Sequence, residues 1–189
     1  MPDTRQQDGG ERPDIRLVAF DDEHEAPFVA MLADPDVTRF TPLPWPVPPG
    51  YAKTWRQRYD AHRPARENFA IEDCADGRFL GIAVAPHVDR EARTAELGYA
   101  VVPEARGRGV AVEALRQLTE WALGLGMRRV FLLISVDNTA SKTVARRAGY
   151  RFEGVLRQTY SRPGVWEDTE SWSYVAPDPV PAPRGGLVR

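Results

Sequence analysis

The most informative residues fall between positions 95 and 157. Arg106-Gly107-Arg108-Gly109-Val110-Ala111 stands between the end of an apolar strand pattern and the start of a helical one. Glycines let a backbone turn tightly and let its amides approach a ligand closely. The helix beyond offers unpaired N–H groups and the positive end of its dipole. Together these suit a pyrophosphate. Two other phosphate loops fail on spacing. A dinucleotide fingerprint needs a third glycine at 112, where Val112 stands, and a P-loop needs Gly-Lys-Ser/Thr, which is missing. Taken alone, the segment also reads as a solvated glycine-rich helix start.

Three further groups accompany it: Ala95-Glu96-Leu97-Gly98-Tyr99-Ala100-Val101, then Asn138-Thr139-Ala140-Ser141, then Arg147-Ala148-Gly149-Tyr150-Arg151-Phe152-Glu153-Gly154. Strand alternation turns Glu96 away from the face of Leu97 and Tyr99. A carboxylate there is costly unless paired, and desolvation raises its pKa toward that of a useful base. Its plainer alternative is an exposed Glu or one bonded to an arginine. Ser141 falls in the first turn of a helix, a position where capping chemistry favours serine, but Asn138 or Thr139 can supply the cap instead.

The elements that must position these residues follow from periodicity. Ile15, Leu17 and Ala19 suggest a first strand, and Asp21 or Asp22 can cap a helix through Phe28, Val29 and Leu32, ended by Asp34-Pro35. The proline-rich stretch 41–50 reads as a loop carrying Trp45, and a short helix follows over Tyr51 to Tyr59. Phe69–Asp73 and Phe79–Ala85 read as strands joined at Asp76-Gly77, and Ala95–Val102 as another. Ala111, Ala114, Leu115, Leu118, Ala122 and Leu125 mark a helix with one buried face, stopped by Gly126. Val130–Ile134 reads as a strand buried on both faces, followed by a helix over 139–148 and strands near Tyr150–Leu156 and Asp168–Val175. The order is β-α-α-β-β-β-α-β-α-β-β, and the strand-helix-strand run at 95–134 implies one parallel pair with a right-handed crossover.

The 189 residues, 42% hydrophobic and 28% charged with a net charge of −2, fit one soluble globular domain. The balance and the scattered arginines argue against a nucleic-acid binder. No run of 18 apolar residues suggests a membrane span, and the polar N-terminus has no signal-peptide core. One cysteine, Cys74, and no Cys/His cluster of zinc spacing point to a cytoplasmic protein without a metal. Residues 1–13 read as a disordered arm, 14–175 as the domain, and 176–189 as a Pro/Gly-rich disordered tail. His24, His62 and His87 share no spacing and read as surface residues; Cys74 reads as inert.

The four groups, in this order and on these elements, resemble the GNAT acyl-CoA N-acyltransferases, and most of all the ribosomal-protein N-terminal acetyltransferases of the RimJ/RimL type. Arg106, Gly109 and Ala111 match the R/Q-x-x-G-x-G/A loop, Asn138 and Ser141 the N-x-x-S element, and Gly149 to Gly154 the G-F-x-x-E-G element with Tyr150 in place of Phe. The resemblance implies an α+β (mixed α/β) fold. Its central sheet would be twisted and mostly antiparallel, with one parallel, splayed strand pair and helices on both faces. Pantetheine would enter the splay as a pseudo-strand against backbone groups at Val101 and Val102. Amides of Gly107, Arg108, Gly109, Val110 and Ala111, with Arg106, would hold the pyrophosphate of acetyl-CoA. Asn138 would bond the pantetheine arm, and Lys142 or Arg146 could approach the 3′-phosphate.

The implied reaction is direct attack of an amine on the thioester. Glu96 is the candidate base, Ser141 the candidate partner of the leaving thiolate, and a strand amide near Tyr99–Val101 would take the oxyanion. Trp45 and Tyr99 are candidate acceptor-site residues. Trp166 and Trp172 read as core or cleft aromatics, and Asp168 and Glu170 as a solvated strand face. The acceptor would be a protein N-terminal amine or a small amine. A non-catalytic acyl-CoA-binding module on the same fold is the alternative, and an exposed sheet edge could support a homodimer.

Overall fold

The computed structural model describes residues 12–162 and 165–176. The expected arm and tail fall, but for residues 12, 13 and 176, outside the described residues. Seven strands form one sheet: β1 (Ile15–Ala19), β2 (Glu67–Asp73), β3 (Phe79–Asp89), β4 (Thr94–Val101), β5 (Arg129–Ser135), β6 (Arg151–Arg162) and β7 (Val165–Val175). Their order across the sheet is β1-β2-β3-β4-β5-β7-β6. Every neighbouring pair is antiparallel except β4 and β5.

Two apolar layers hold helices to this sheet. On one face, α4 (Val110–Gly124) and α5 (Thr139–Arg147) pack Ala114, Leu115, Leu118, Ala122 and Ala145 against Ala95, Leu97 and Val130. The three-and-four spacing of the α4 residues is what produces this buried stripe. On the other face, α1 (Glu25–Met31), α2 (Pro35–Phe40) and α3 (Tyr51–Asp60) bring Phe28, Met31, Val37 and Trp55 onto Ala70, Ile82 and Ala100. That second layer covers only the β1–β4 half.

Both helices on the first face end in Schellman motifs. Gly126 and Gly149 take φ of +88° and +92°. The amides of Met127 and Tyr150 then reach back to the carbonyls of Ala122 and Ala145. Tyr150, which replaces the phenylalanine of the resembled motif, is buried and satisfies its hydroxyl on Thr119 Oγ1 at 2.7 Å. Across β5, β7 and β6, Glu153 accepts both arms of Arg129 at 2.6 and 2.5 Å, and also Ser171 and Ser173 Oγ. Arg129 first, then Ser173, holds its carboxyl down to about 2.

The structure corrects three expectations. Asp34-Pro35 does not simply end a helix. Asp34 caps α2 through its side chain to Asp36 N–H, with Pro35 in the first turn, so the order gains a third helix before β2. The strand β5 is not buried on both faces. Val130, Leu132 and Ile134 are buried, but Leu133 is 38% exposed because no helix covers that half of the second face. His24 is not a surface residue. It is buried against Phe20 and Phe79, with Nε2 at 3.0 Å from Glu72 and Nδ1 accepting the Asp21 amide.

Gly81 marks the tightest contact in the sheet. A Cβ there would lie 2.1 Å from the Ala100 carbonyl oxygen and 2.8 Å from Val101 Cα, at φ +151°. Gly81→Ala should therefore cost roughly 3 kcal/mol, while Gly124→Ala, which meets nothing within 4 Å, should be near neutral. Urea unfolding of the two variants checks the contrast.

Candidate active site

The parallel pair is short. Thr94, Ala95 and Glu96 pair with Arg129, Val130 and Phe131, and there the pairing stops. Beyond it, β4 bonds only to β3 through Gly98–Val101, and β5 only to β7 through Leu132–Ser135. The facing edges of Leu97–Val101 and Leu132–Ser135 thus carry backbone groups without a strand partner among the described residues. Such groups demand partners, and an extended, amide-bearing arm can supply them by strand addition. Val102 does not belong to this edge. Its N–H goes to Leu80 and its carbonyl takes the Ala105 amide.

Glu96 sits at the last pair before the opening. Ala95, Leu97, Tyr99 and Val101 pack on the α4–α5 side, so Glu96 shares the α1–α3 side with Ala100. Burial raises its carboxyl above the usual carboxylate range, and His87, with Nε2 3.9 Å from Glu96 Oε2, works in the opposite direction. The exposed-Glu alternative fails on its side chain, 24% exposed. No arginine pairs with it among the described residues.

Ser141 approaches from the other face. Asn138 caps α5, its Oδ1 accepting Ser141 N–H at 3.0 Å, so the serine hydroxyl is not needed for the cap. Ser141 Oγ lies 2.8 Å from the hydroxyl of Tyr99. Tyr99, expected at the acceptor site, is therefore joined to Ser141 on the α5 side, and burial pushes its phenol far up. A carboxylate on one face and a hydroxyl on the other flank the opening between β4 and β5.

The glycine-rich loop has the backbone form a cradle needs. Gly107 and Gly109 take φ of +72° and +81°, and a Cβ at Gly107 would meet nothing within 4 Å. At Gly109 it would touch the Pro13 ring at 3.5 Å. Gly109 begins α4 without a side-chain cap, so the amides of Val110 and Ala111 remain available. Arg106 is held by Asp34 and by Asp36 Oδ2 at 3.4 Å. Arg108 has no ion pair among the described residues. A cavity of about 650 Å³ adjoins the loop, lined in part by Asp34, Arg106, Arg108, Phe79 and Pro103.

Of the two expected 3′-phosphate ligands, Lys142 is engaged by other groups and Arg146 is oriented by an aromatic ring. Lys142 Nζ lies 2.8 Å from both Glu170 and the Val136 carbonyl, and Arg146 stacks over Trp172 at 5.5 Å. Glu170 is accordingly not a solvated residue; it also accepts Trp172 Nε1. Asp168 accepts the Gln158 amide. Trp172 is core, whereas Trp166 and Trp45 are 68% and 64% exposed. Burial first, then Asp14, raises the Cys74 thiol, in keeping with an inert group.

The sequence reading missed α2 as a strap. From α2 and its cap, Asp34 and Asp36 reach Arg106 on the β4 side, while Arg39 reaches Asp137 at 3.3 Å on the β5 side. Val37 pins the helix to the core between them. The Asp34-Pro35-Asp36 run carried a legible helix-start signal; the three ion pairs had none.

A sheet whose single parallel pair opens beside a glycine-rich helix start defines an acyltransferase-like fold. Residues 14–151 match the acetyltransferase (GNAT) domain family, and the chain belongs to it. The Bacillus subtilis (strain 168) uncharacterized N-acetyltransferase YoaA is 35% identical over 86 residues, 45% of this chain. The chain spans about half, 49%, of that relative's length. Mycobacterium smegmatis RimJ in complex with CoA-disulfide superposes with a TM-score of 0.78 at 23% identity, covering 87% of this chain and 85% of that one. Vibrio cholerae spermidine N-acetyltransferase, solved with CoA and spermine, gives 0.76 at 16% identity over 86% and 95% of the two chains.

The Glu96 titration is directly measurable. Its carboxyl resonance should titrate above the range of an ordinary glutamate. His87→Ala removes the opposing influence, so the midpoint should rise further; a fall would contradict the assigned geometry.

Proposed function

We propose that this chain is an acyl-CoA-dependent N-acetyltransferase that moves an acetyl group from acetyl-CoA to a primary amine. The observation that carries this reading is the position of Glu96 at the point where β4 and β5 part, with Ser141 across the opening. The residues fit the co-substrate in two places. The unpartnered edge of Leu97–Val101 suits the amides of pantetheine. The open Gly107 and the start of α4 suit the pyrophosphate. Asn138 keeps its side-chain N–H₂ as a donor for the pantetheine arm after its oxygen has capped α5.

In this reading Glu96, raised by burial, takes the proton of the acceptor ammonium. The freed amine attacks from the α1–α3 side. A backbone N–H near Tyr99–Val101 bonds the developing oxyanion, and Ser141 meets the departing sulfur from the α5 side. Arg106 acts through its hold on α2 as well as through its charge. The acceptor is a protein N-terminal amine or a small amine, reached past Trp45. The proposed setting is the cytoplasm, where acetyl-CoA and reduced thiols are found together.

Calorimetric titration with acetyl-CoA and no acceptor is the first test, followed by a thiol-release screen of N-terminal peptides, polyamines and other small amines. One binding site per chain with thiol release on at least one amine supports the proposal; no binding overturns it. The base form of Glu96 is the carboxylate, so kcat/KM should fall as pH drops through its raised pKa, at a higher pH than an ordinary glutamate would give. Glu96→Gln should lower kcat by roughly 100-fold, remove that limb, and leave acetyl-CoA affinity unchanged. A pH profile identical to wild type would refute the assignment.

A further inference from the structure

We propose that Tyr99 is a positioning residue whose hydroxyl turns the Ser141 proton into the opening between β4 and β5, where the thiolate of CoA departs. The inference rests on the acetyl-transfer reading and extends it to a residue on a different element. Tyr99 belongs to β4 and Ser141 to α5, so the bond joins the strand edge to the helix beside it.

The argument is one of hydrogen-bond supply. A buried phenol needs an acceptor. Tyr99 has two within reach: Ser141 Oγ at 2.8 Å and the Ser141 carbonyl at 3.3 Å. The shorter contact is the better one for an O–H donor. Helix geometry also gives the Ser141 carbonyl the amide four residues on, at the buried Ala145. With Tyr99 donating to Ser141 Oγ, the serine keeps its single proton for another acceptor. Among the described residues no carbonyl of the preceding turn takes it. The opening remains the direction in which it can be given.

Tyr99 does not itself pass a proton. Its proton is committed to Ser141 Oγ at 2.8 Å, and burial pushes its phenol far up, which makes a lone phenolate the costlier state. The balance of the step leaves it unchanged. The amine nitrogen bonds to the acyl carbon, the carbon–sulfur bond breaks, and its electron pair leaves on sulfur. Ser141 O–H donates a hydrogen bond to that sulfur. Glu96, having passed the ammonium proton to solvent, takes the second proton that the nitrogen sheds on becoming an amide. Tyr99 only fixes the direction of the serine hydroxyl.

The test reads the thiol of bound CoA and needs no acceptor. Its titration is followed by the ultraviolet absorbance of the thiolate, against the same protein without CoA. Relative to wild type, Tyr99→Phe should raise the midpoint by about one pH unit, a tenfold change. Ser141→Ala should do the same, and the double variant should go no further, because Tyr99 acts through Ser141. Placing 3-fluorotyrosine at position 99, a stronger donor of the same shape, should lower the midpoint and keeps the test alive if Tyr99→Phe does not fold. In turnover, Tyr99→Phe should lower kcat about tenfold with the KM for acetyl-CoA unchanged. An unmoved midpoint, or an equal shift in the Ser141→Ala background, overturns the proposal. A wild-type protein that binds CoA, shows the shifted midpoint and releases no thiol with any amine would overturn the acetyl-transfer reading alone.

Discussion

Three residue pairs between β4 and β5 set the rest of the structure. A longer ladder would satisfy both strand edges and close the sheet. A shorter one would let its two halves separate. At this length the strands are joined firmly at one end and part at the other. The backbone groups of the parted edges cannot pair with each other, and buried polar groups without partners are costly. The sheet is thus built to be completed by something that resembles a strand.

The surrounding elements make sense against that opening. Turning the chain from the end of β4 into α4 within a few residues requires Gly107 and Gly109 at positive φ, and this same turn aims the first helical amides outward. The cap at Asn138 starts α5 next to Tyr99, which brings Ser141 to the gap. Strand alternation puts Glu96 on the opposite face. Acid–base chemistry benefits from this division. A carboxylate and a hydroxyl on the same face would bond each other, whereas two faces keep Glu96 and Ser141 apart. Farther out, Glu153 ties β6 and β7 to Arg129 at the closed end, stiffening the half of the sheet that has helices on only one face.

Much of this was legible in the sequence because local rules governed it. The α4 stripe, both glycine stops, the glycine-rich turn, the Asn138 cap and the facing of Glu96 all follow from spacing within a few residues. The rest depended on contacts distant in sequence. Leu133 looks like a core residue in an apolar run, and only the lack of a covering helix leaves it exposed. His24 reads as polar and becomes buried because Glu72, 48 residues away, offers a carboxylate. Lys142 reads as an anion ligand until Glu170 claims it. Tyr99 reads as an aromatic in a cleft, and its bond to Ser141 spans 42 positions.

The strap across the opening has a mechanical consequence. The contacts that join α2 to the two lips are ion pairs at or near the surface, while Val37 beneath them is apolar packing. Dissolved salt screens the first and leaves the second in place. Added salt therefore weakens the exposed Arg39–Asp137 contact most, the more sheltered Arg106–Asp34 pair less, and the packing at Val37 not at all, so the two lips of the opening lose their tether to α2 unequally.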